Sequence, residues 1–167
     1  MHNPGHEVLD LQLLMQLTRF SDYSLRALIY LAQREGLNTT IADIASAHRI
    51  SKSHLMKVIH NLAKQGYVRT TRGKGGGISL AHAPEEILIG KVIRDVEPFA
   101  PVECFVPDYA GGCRLYPNCG IRGPLRSAQL RFLETLDGYS IGDVMGRTSH
   151  LGKRSQASTG RGKPPRS

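Results

Sequence analysis

Tryptophan is missing from these 167 residues, and cysteine occurs only three times. No apolar run approaches the ~20 residues that a membrane-spanning helix needs, so a helical span is not expected. The opening stretch MHNPGHEVLDLQLLMQLTRF lacks a basic start and a small-residue cleavage site, and it does not read as a signal peptide. The chain is therefore expected in the cytoplasm, where thiols stay reduced and structural disulfides are rare. Acidic residues are absent from residues 147–167, which carry six Lys/Arg among Gly, Ser and Pro. Such a segment cannot bury enough apolar surface to fold and reads as a disordered basic tail.

Charge is unevenly spread over the rest. The formal net charge of +8 divides into −2 over residues 1–14, +7 over 15–80, −3 over 81–146 and +6 over the tail. The basic block at 15–80 is patterned like a folded unit, and a folded basic surface is what binding to a polyanion requires. A solvated face that only maintains solubility has the same composition, so the pattern within the block must decide.

That pattern is three helices and a hairpin. FSDYSLRALIYLAQREG reads as a helix with Ser21 as its N-cap, an apolar stripe of Leu25, Leu28, Ile29 and Ala32, and Gly36 beyond its end. Thr40 with Asp43 resembles a capping box ahead of IADIASAH. After Arg49 and Ile50, Ser51 caps KSHLMKVIHNLAKQ, which runs to Gly66. Leu55, Val58, Ile59 and Leu62 form its apolar face. The opposite face carries Ser53, Lys57, His60 and Lys64, with no acid. Helix, short turn, helix is the arrangement whose second helix enters the major groove of DNA, although an ordinary three-helix bundle has the same periodicity. Two short strands, 67–70 and 78–80, then flank RGKGGG, with Arg72 and Lys74 at the tip and glycines that permit tight turns. A basic hairpin directly after a helix-turn-helix predicts a winged helix. The expected DNA contacts are Ser51, Lys52, Ser53, His54 and Lys57 on the helix, and Arg72, Gly73, Lys74 and Gly75 on the wing.

Beyond the wing, IGKVIRDVE predicts a helix over 89–97. GPLRSAQLRFLETLDGY predicts another, from Pro124 at its first position to about Leu136, with Leu125, Ala128, Phe132 and Leu136 on one stripe. This second helix is expected to pair with a second copy of the chain, since DNA readers often match two-fold symmetry to a palindromic site. Packing back onto its own domain is the alternative. A short helix in YSIGDVM closes the fold.

Between these helices lies CFVPDYAGGCRLYPNC, residues 104–119, which holds every cysteine. An odd count leaves one thiol over after any pairing. The spacing C-x8-C-x5-C lacks the close pair usual in structural zinc sites. Pro107, Gly111, Gly112 and Pro117 allow the loop to bend around an iron–sulfur cluster held by thiolates, and Lys91, Arg94, Arg114 and Arg122 flank it with positive charge. A cluster-free thiol switch would need only one or two of the three. An enzyme with Cys119 as nucleophile finds no support, because the histidines stand at 2, 6, 48, 54, 60, 82 and 150. No catalytic residue is assigned.

Together MQLTRFSDYSLRALIYLA, RGKGGGISL, VIRDVEP and the cysteine loop followed by GPLRSA resemble the iron–sulfur winged-helix repressors of the NsrR/IscR family, from Met15 to about Met145. The likeness is greatest to the branch that senses nitric oxide. The IscR pattern has a His three residues after the third cysteine, where this chain has Arg122. The resemblance implies a homodimer with one cluster per subunit, 2Fe-2S by first expectation and 4Fe-4S also open, held by Cys104, Cys113 and Cys119. It further implies that Asp22 supplies the fourth ligand to the cluster of the other subunit. Nitric oxide would then release the protein from its operator and derepress nitrosative-stress genes. A redox- or iron-responsive regulator of the same fold, or a cluster-free thiol-responsive one, is the alternative. The expected architecture is α+β and mostly α. Residues 1–14 are an extension, with Met15 as an alternative start, and 15–82 form the winged helix-turn-helix domain. Residues 83–146 carry the cluster loop and dimerisation helix, and 147–167 are the tail.

Overall fold

Each helix of the N-terminal half begins at a hydroxyl that closes its first turn. In the computed structural model, residues 17–145 are described apart from 72, 74, 98, 99, 101, 106–108, 110 and 117. The expected N-terminal extension and basic tail lie outside the described residues, as do Arg72 and Lys74. Helix α1 spans Arg19–Ala32, α2 Ile41–His48 and α3 Lys52–Lys64. Thr18, not Ser21, caps α1: its hydroxyl accepts from the Ser21 backbone N–H, and Ser21 lies a turn inside the helix with its side chain fully buried. Both residues can cap, and the packed position of Ser21 decides between them. The Thr40–Asp43 box forms as expected, with the Asp43 carboxylate accepting from the Thr40 N–H at 2.8 Å. The Thr40 hydroxyl, which donates to the same carboxylate at 2.7 Å, and then the Thr40 N–H hold the Asp43 carboxyl below the usual range. Ser51 accepts from the His54 N–H to open α3, and Gly66, at φ +83°, closes it.

The three helices enclose one core. Ala27, Leu28 and Leu31 of α1 meet Ile44 and Ala45 of α2 and Leu55, Val58, Ile59 and Leu62 of α3. The α2–α3 turn is made by Arg49 in the left-handed region at φ 54°, which lets the Ile50 N–H reach the Ala45 carbonyl. Strands β1 (Val68–Thr70) and β2 (Ile78–Leu80) pair antiparallel, Val68 opposite Leu80 and Thr70 opposite Ile78. The wing is anchored by its second strand: the Ile78 N–H donates to the Thr39 carbonyl at 2.7 Å, just ahead of α2. Gly77 makes this approach feasible, since a Cβ there would stand 1.9 Å from Asn38 Oδ1.

A 3-10 turn (Pro84–Glu86) leads to α4 (Ile89–Val96), whose Val92 is fully buried in the same core. Another such turn (Glu103–Phe105) precedes α5 (Arg122–Asp137). Helix α5 starts two residues before Pro124, which therefore sits third. A proline in the first turn removes no intrahelical hydrogen bond, so the earlier start is tolerated. The C-terminal half of α5 packs on α4 over Gly90, where a Cβ would lie 2.7 Å from the Leu133 carbonyl. Arg94 of α4 forms a two-pronged ion pair with Asp137 of α5. The buried residue of α5 is Leu133, not a member of the expected stripe: Leu125, Phe132 and Leu136 are half-buried and Ala128 is exposed. The final helical turn, 141–145, is capped by Ser140 and Asp143 and returns to the start of α4, with the Ile141 N–H bonded to the Ile87 carbonyl. The architecture is thus mostly helical with a two-stranded wing, as expected.

Candidate functional site

The apolar face of α3 is committed to the core, which leaves the rest of its surface to solvent. Ser51, Lys52, Ser53, His54, Lys57, His60 and Lys64 are all exposed, as the periodicity predicts. On the wing, Gly73 and Gly75 are exposed and adopt φ +100° and +90°, a backbone only glycine takes without strain. The Gly76 N–H donates to the Gly73 carbonyl and the Thr71 N–H to the Gly77 carbonyl, so the tip is a tight turn.

Helix α1 contributes a part of this face that its sequence did not announce. Arg19, Phe20 and Tyr23 join His54, Lys57 and Val58 around a shallow cavity of about 80 Å³ at the start of α3. The Tyr23 and His54 rings lie 6.3 Å apart. Met56 is also exposed on α3. The sequence reading of this helix singled out its Leu25, Leu28, Ile29 and Ala32 stripe and neither Arg19 nor Tyr23; their meeting with α3 depends on how the two helices cross.

His48, at the end of α2, sits edge-on to the Tyr30 ring at 5.6 Å, and its Nε2 is buried without a hydrogen-bond partner among the described residues. Burial lowers its pKa, the Arg26 charge lowers it further, and Asp22 opposes both.

At the root of the wing, Tyr67 is buried and its hydroxyl donates to Asp95 of α4 at 2.5 Å, while Lys91 Nζ lies 2.9 Å from the same carboxylate. Burial together with the Asp95 bond pushes the Tyr67 pKa up to about 12. Burial alone would raise the Asp95 pKa; the Tyr67 and Lys91 bonds outweigh it and the net shift is downward.

The thiol loop is built differently. All three cysteines are free, Cys104 and Cys119 half-buried and Cys113 exposed. Aromatic rings order their surroundings. The Tyr109 hydroxyl accepts from the Cys113 N–H at 3.0 Å, and the Tyr109 ring stands edge-on to Tyr116 at 5.2 Å. The Arg122 guanidinium lies over Tyr116 at 5.2 Å and Phe105 at 5.9 Å, and its backbone N–H donates to the Cys119 carbonyl. The sequence reading named the glycines, prolines and cations here and passed over these rings. Asp22 lies on the first turn of α1, where its carboxylate accepts from Arg26 Nε at 2.8 Å. Among the described residues, no group of three or more His, Cys, Asp or Glu is drawn together within the chain. The donor chemistry of the loop nevertheless fits an iron–sulfur cluster: three free thiols on one segment, flanked by a fixed guanidinium. No helix among the described residues is long and apolar enough to cross a membrane.

Comparison with known proteins agrees with this geometry. The Rrf2 family, described as an iron-dependent transcriptional regulator, matches residues 17–147. The HTH-type transcriptional regulator NsrR of Bacillus licheniformis is 47% identical over 141 residues, covering 83% of this chain and 98% of that protein. Its namesake in Bacillus subtilis is 47% identical over 133 residues, covering 78% and 90%. Among solved structures, CymR, described as the global cysteine regulator of B. subtilis, is 26% identical with a TM-score of 0.57, covering 80% of this chain and 98% of that one. T. potens IscR, at 23% identity and a TM-score of 0.62, covers 89% and 94% and shares the fold.

Proposed function

The chain belongs to the Rrf2 family of iron-dependent transcriptional regulators, and from that premise we propose that it is a nitric-oxide-responsive repressor acting as a homodimer in the cytoplasm. It is a DNA-binding regulator and not an enzyme, as its relatives are. The observation that carries the finer reading is the collection of all three cysteines, free, on one loop beside α5 in a chain 47% identical to proteins named NsrR.

In this reading Ser53, His54 and Lys57 meet base edges in the major groove, while Lys52, Arg72 and Lys74 meet phosphates and Gly73 and Gly75 let the wing approach closely. Ser51 holds the first turn of α3 in shape. Cys104, Cys113 and Cys119 would hold an iron–sulfur cluster, 2Fe-2S or 4Fe-4S, with the partner subunit's Asp22 as fourth ligand. When bound, that cluster supplies iron open to attack by nitric oxide. Asp22 stands one residue before Tyr23, whose ring leans on His54, so a change in its bonding is applied next to the reading helix. A coupling of about 1–3 kcal/mol between the two sites is enough to switch occupancy.

The test is anaerobic purification followed by visible absorbance and DNA-binding anisotropy, with a palindromic promoter fragment from nitric oxide detoxification genes. A coloured protein should lose affinity by roughly 5- to 150-fold when nitric oxide is added. A colourless protein whose binding follows thiol oxidants instead would favour the cluster-free reading, for which the exposed Cys113 is the natural target.

A further inference from the structure

Glu97 stands where the chain leaves α4 for the thiol loop, seven positions before Cys104. Its carboxylate reaches across to the start of α1. There it accepts hydrogen bonds from the Thr18 backbone N–H at 3.1 Å, from the Thr18 hydroxyl at 2.9 Å, and from the Ser21 hydroxyl. Thr18 is the N-cap of α1, so a negative charge is held at the positive end of the helix dipole. Ser21 is fully buried, and removing the carboxylate would take a charged acceptor from an enclosed hydroxyl. Asp22 follows Ser21 directly, and Tyr23, next again, makes the ring contact with His54 on α3. A single side chain therefore joins the entry to the thiol loop with the turn of α1 that leans on the reading helix.

We propose that Glu97 is a positioning residue that couples the thiol-loop segment to the reading helix through the N-terminal turn of α1. Its consequence for DNA rests on the repressor reading above; the mechanical coupling does not. When the segment after α4 shifts, Glu97 moves the first turn of α1, and Tyr23 carries that movement to His54. A carboxylate that merely capped α1 would stabilise that helix and leave α3 untouched. The two roles predict different places of effect.

The experiment uses the full chain with Glu97→Gln, which keeps the shape and removes the charge, and Ser21→Ala on the opposite side of the contact. Hydrogen–deuterium exchange is measured by peptide on cluster-free protein, so that the cluster plays no part in the readout. Exchange over 18–24 and over 51–57 should quicken by about 5-fold in Glu97→Gln and by less in Ser21→Ala, with α2, α4 and α5 unchanged. On cluster-loaded protein, the ratio of DNA affinity between loaded and cluster-free forms should fall by about 5-fold toward one. Exchange over 51–57 that stays at the wild-type rate in both variants would overturn the proposal. So would a uniform rise along the whole chain, which marks a general loss of stability. If the wild-type protein binds no promoter DNA, the repressor reading fails, and the exchange pattern still decides the role of Glu97.

Discussion

Residues 17–82 bury Leu28, Ile44, Leu55 and Leu62 completely, whereas between Val96 and α5 no described residue reaches burial. The winged half is held by apolar packing and by hydroxyl caps at every helix start. The thiol loop is held by rings, a guanidinium and backbone bonds around three free cysteines. The first kind of order is self-sufficient, because the side chains that define it also exclude water. The second leaves its thiols accessible, which suits a segment that must respond to a ligand. In the proposed function the same division holds, with the winged half presenting the DNA surface and the other half biasing it.

The largest effect should come from breaking the rigid half. Leu55→Ala removes a fully buried side chain and should cost about 2–5 kcal/mol of stability, measured by denaturant unfolding. Cys113→Ser, at an exposed position, should change stability by less than about 0.5 kcal/mol yet abolish the nitric oxide response. A Cys113→Ser protein that unfolds like Leu55→Ala would break the comparison. Next, Thr40→Ala should cost roughly 1 kcal/mol, because the α2 capping box loses its acceptor, with no change in any cluster spectrum.

A pH effect should follow from His48. Its folded pKa lies below the unfolded value of 6.5, so the unfolded chain takes up the proton first. Stability should therefore be full above the unfolded value, decline as pH falls through it, and level off below the folded value. Melting temperatures across that range should show the decline in wild type and its reduction in His48→Asn. The smallest effect concerns the DNA face. Lys57→Ala should leave folding intact and change the base preference at a constant log–log salt slope, as a side chain in the groove would. A slope lowered by ~0.9 would assign Lys57 to a phosphate instead.

The helices, their apolar faces, the Thr40 and Ser51 caps and the wing strands were legible because each is encoded within a few residues, by period or by hydrogen-bonding chemistry. The clustering of the thiols was legible as well, since it is a fact of spacing. The choice of Thr18 over Ser21 as cap was not. Two hydroxyls three residues apart compete for one role, and the packed position of Ser21, buried with its hydroxyl donating to the remote Glu97, settles it. Nor could the pattern show that α5 buries Leu133 and lays its backbone over Gly90, or that Tyr23 meets His54. Those contacts depend on the angle and depth at which helices pack, which arise from many side chains at once. The sequence by itself determined which surfaces are basic, apolar or thiol-bearing, because those properties belong to single residues. Only the tertiary structure decided which of them touch: Glu97 with the start of α1, Tyr67 with Asp95, and Arg122 with the rings beside the cysteines.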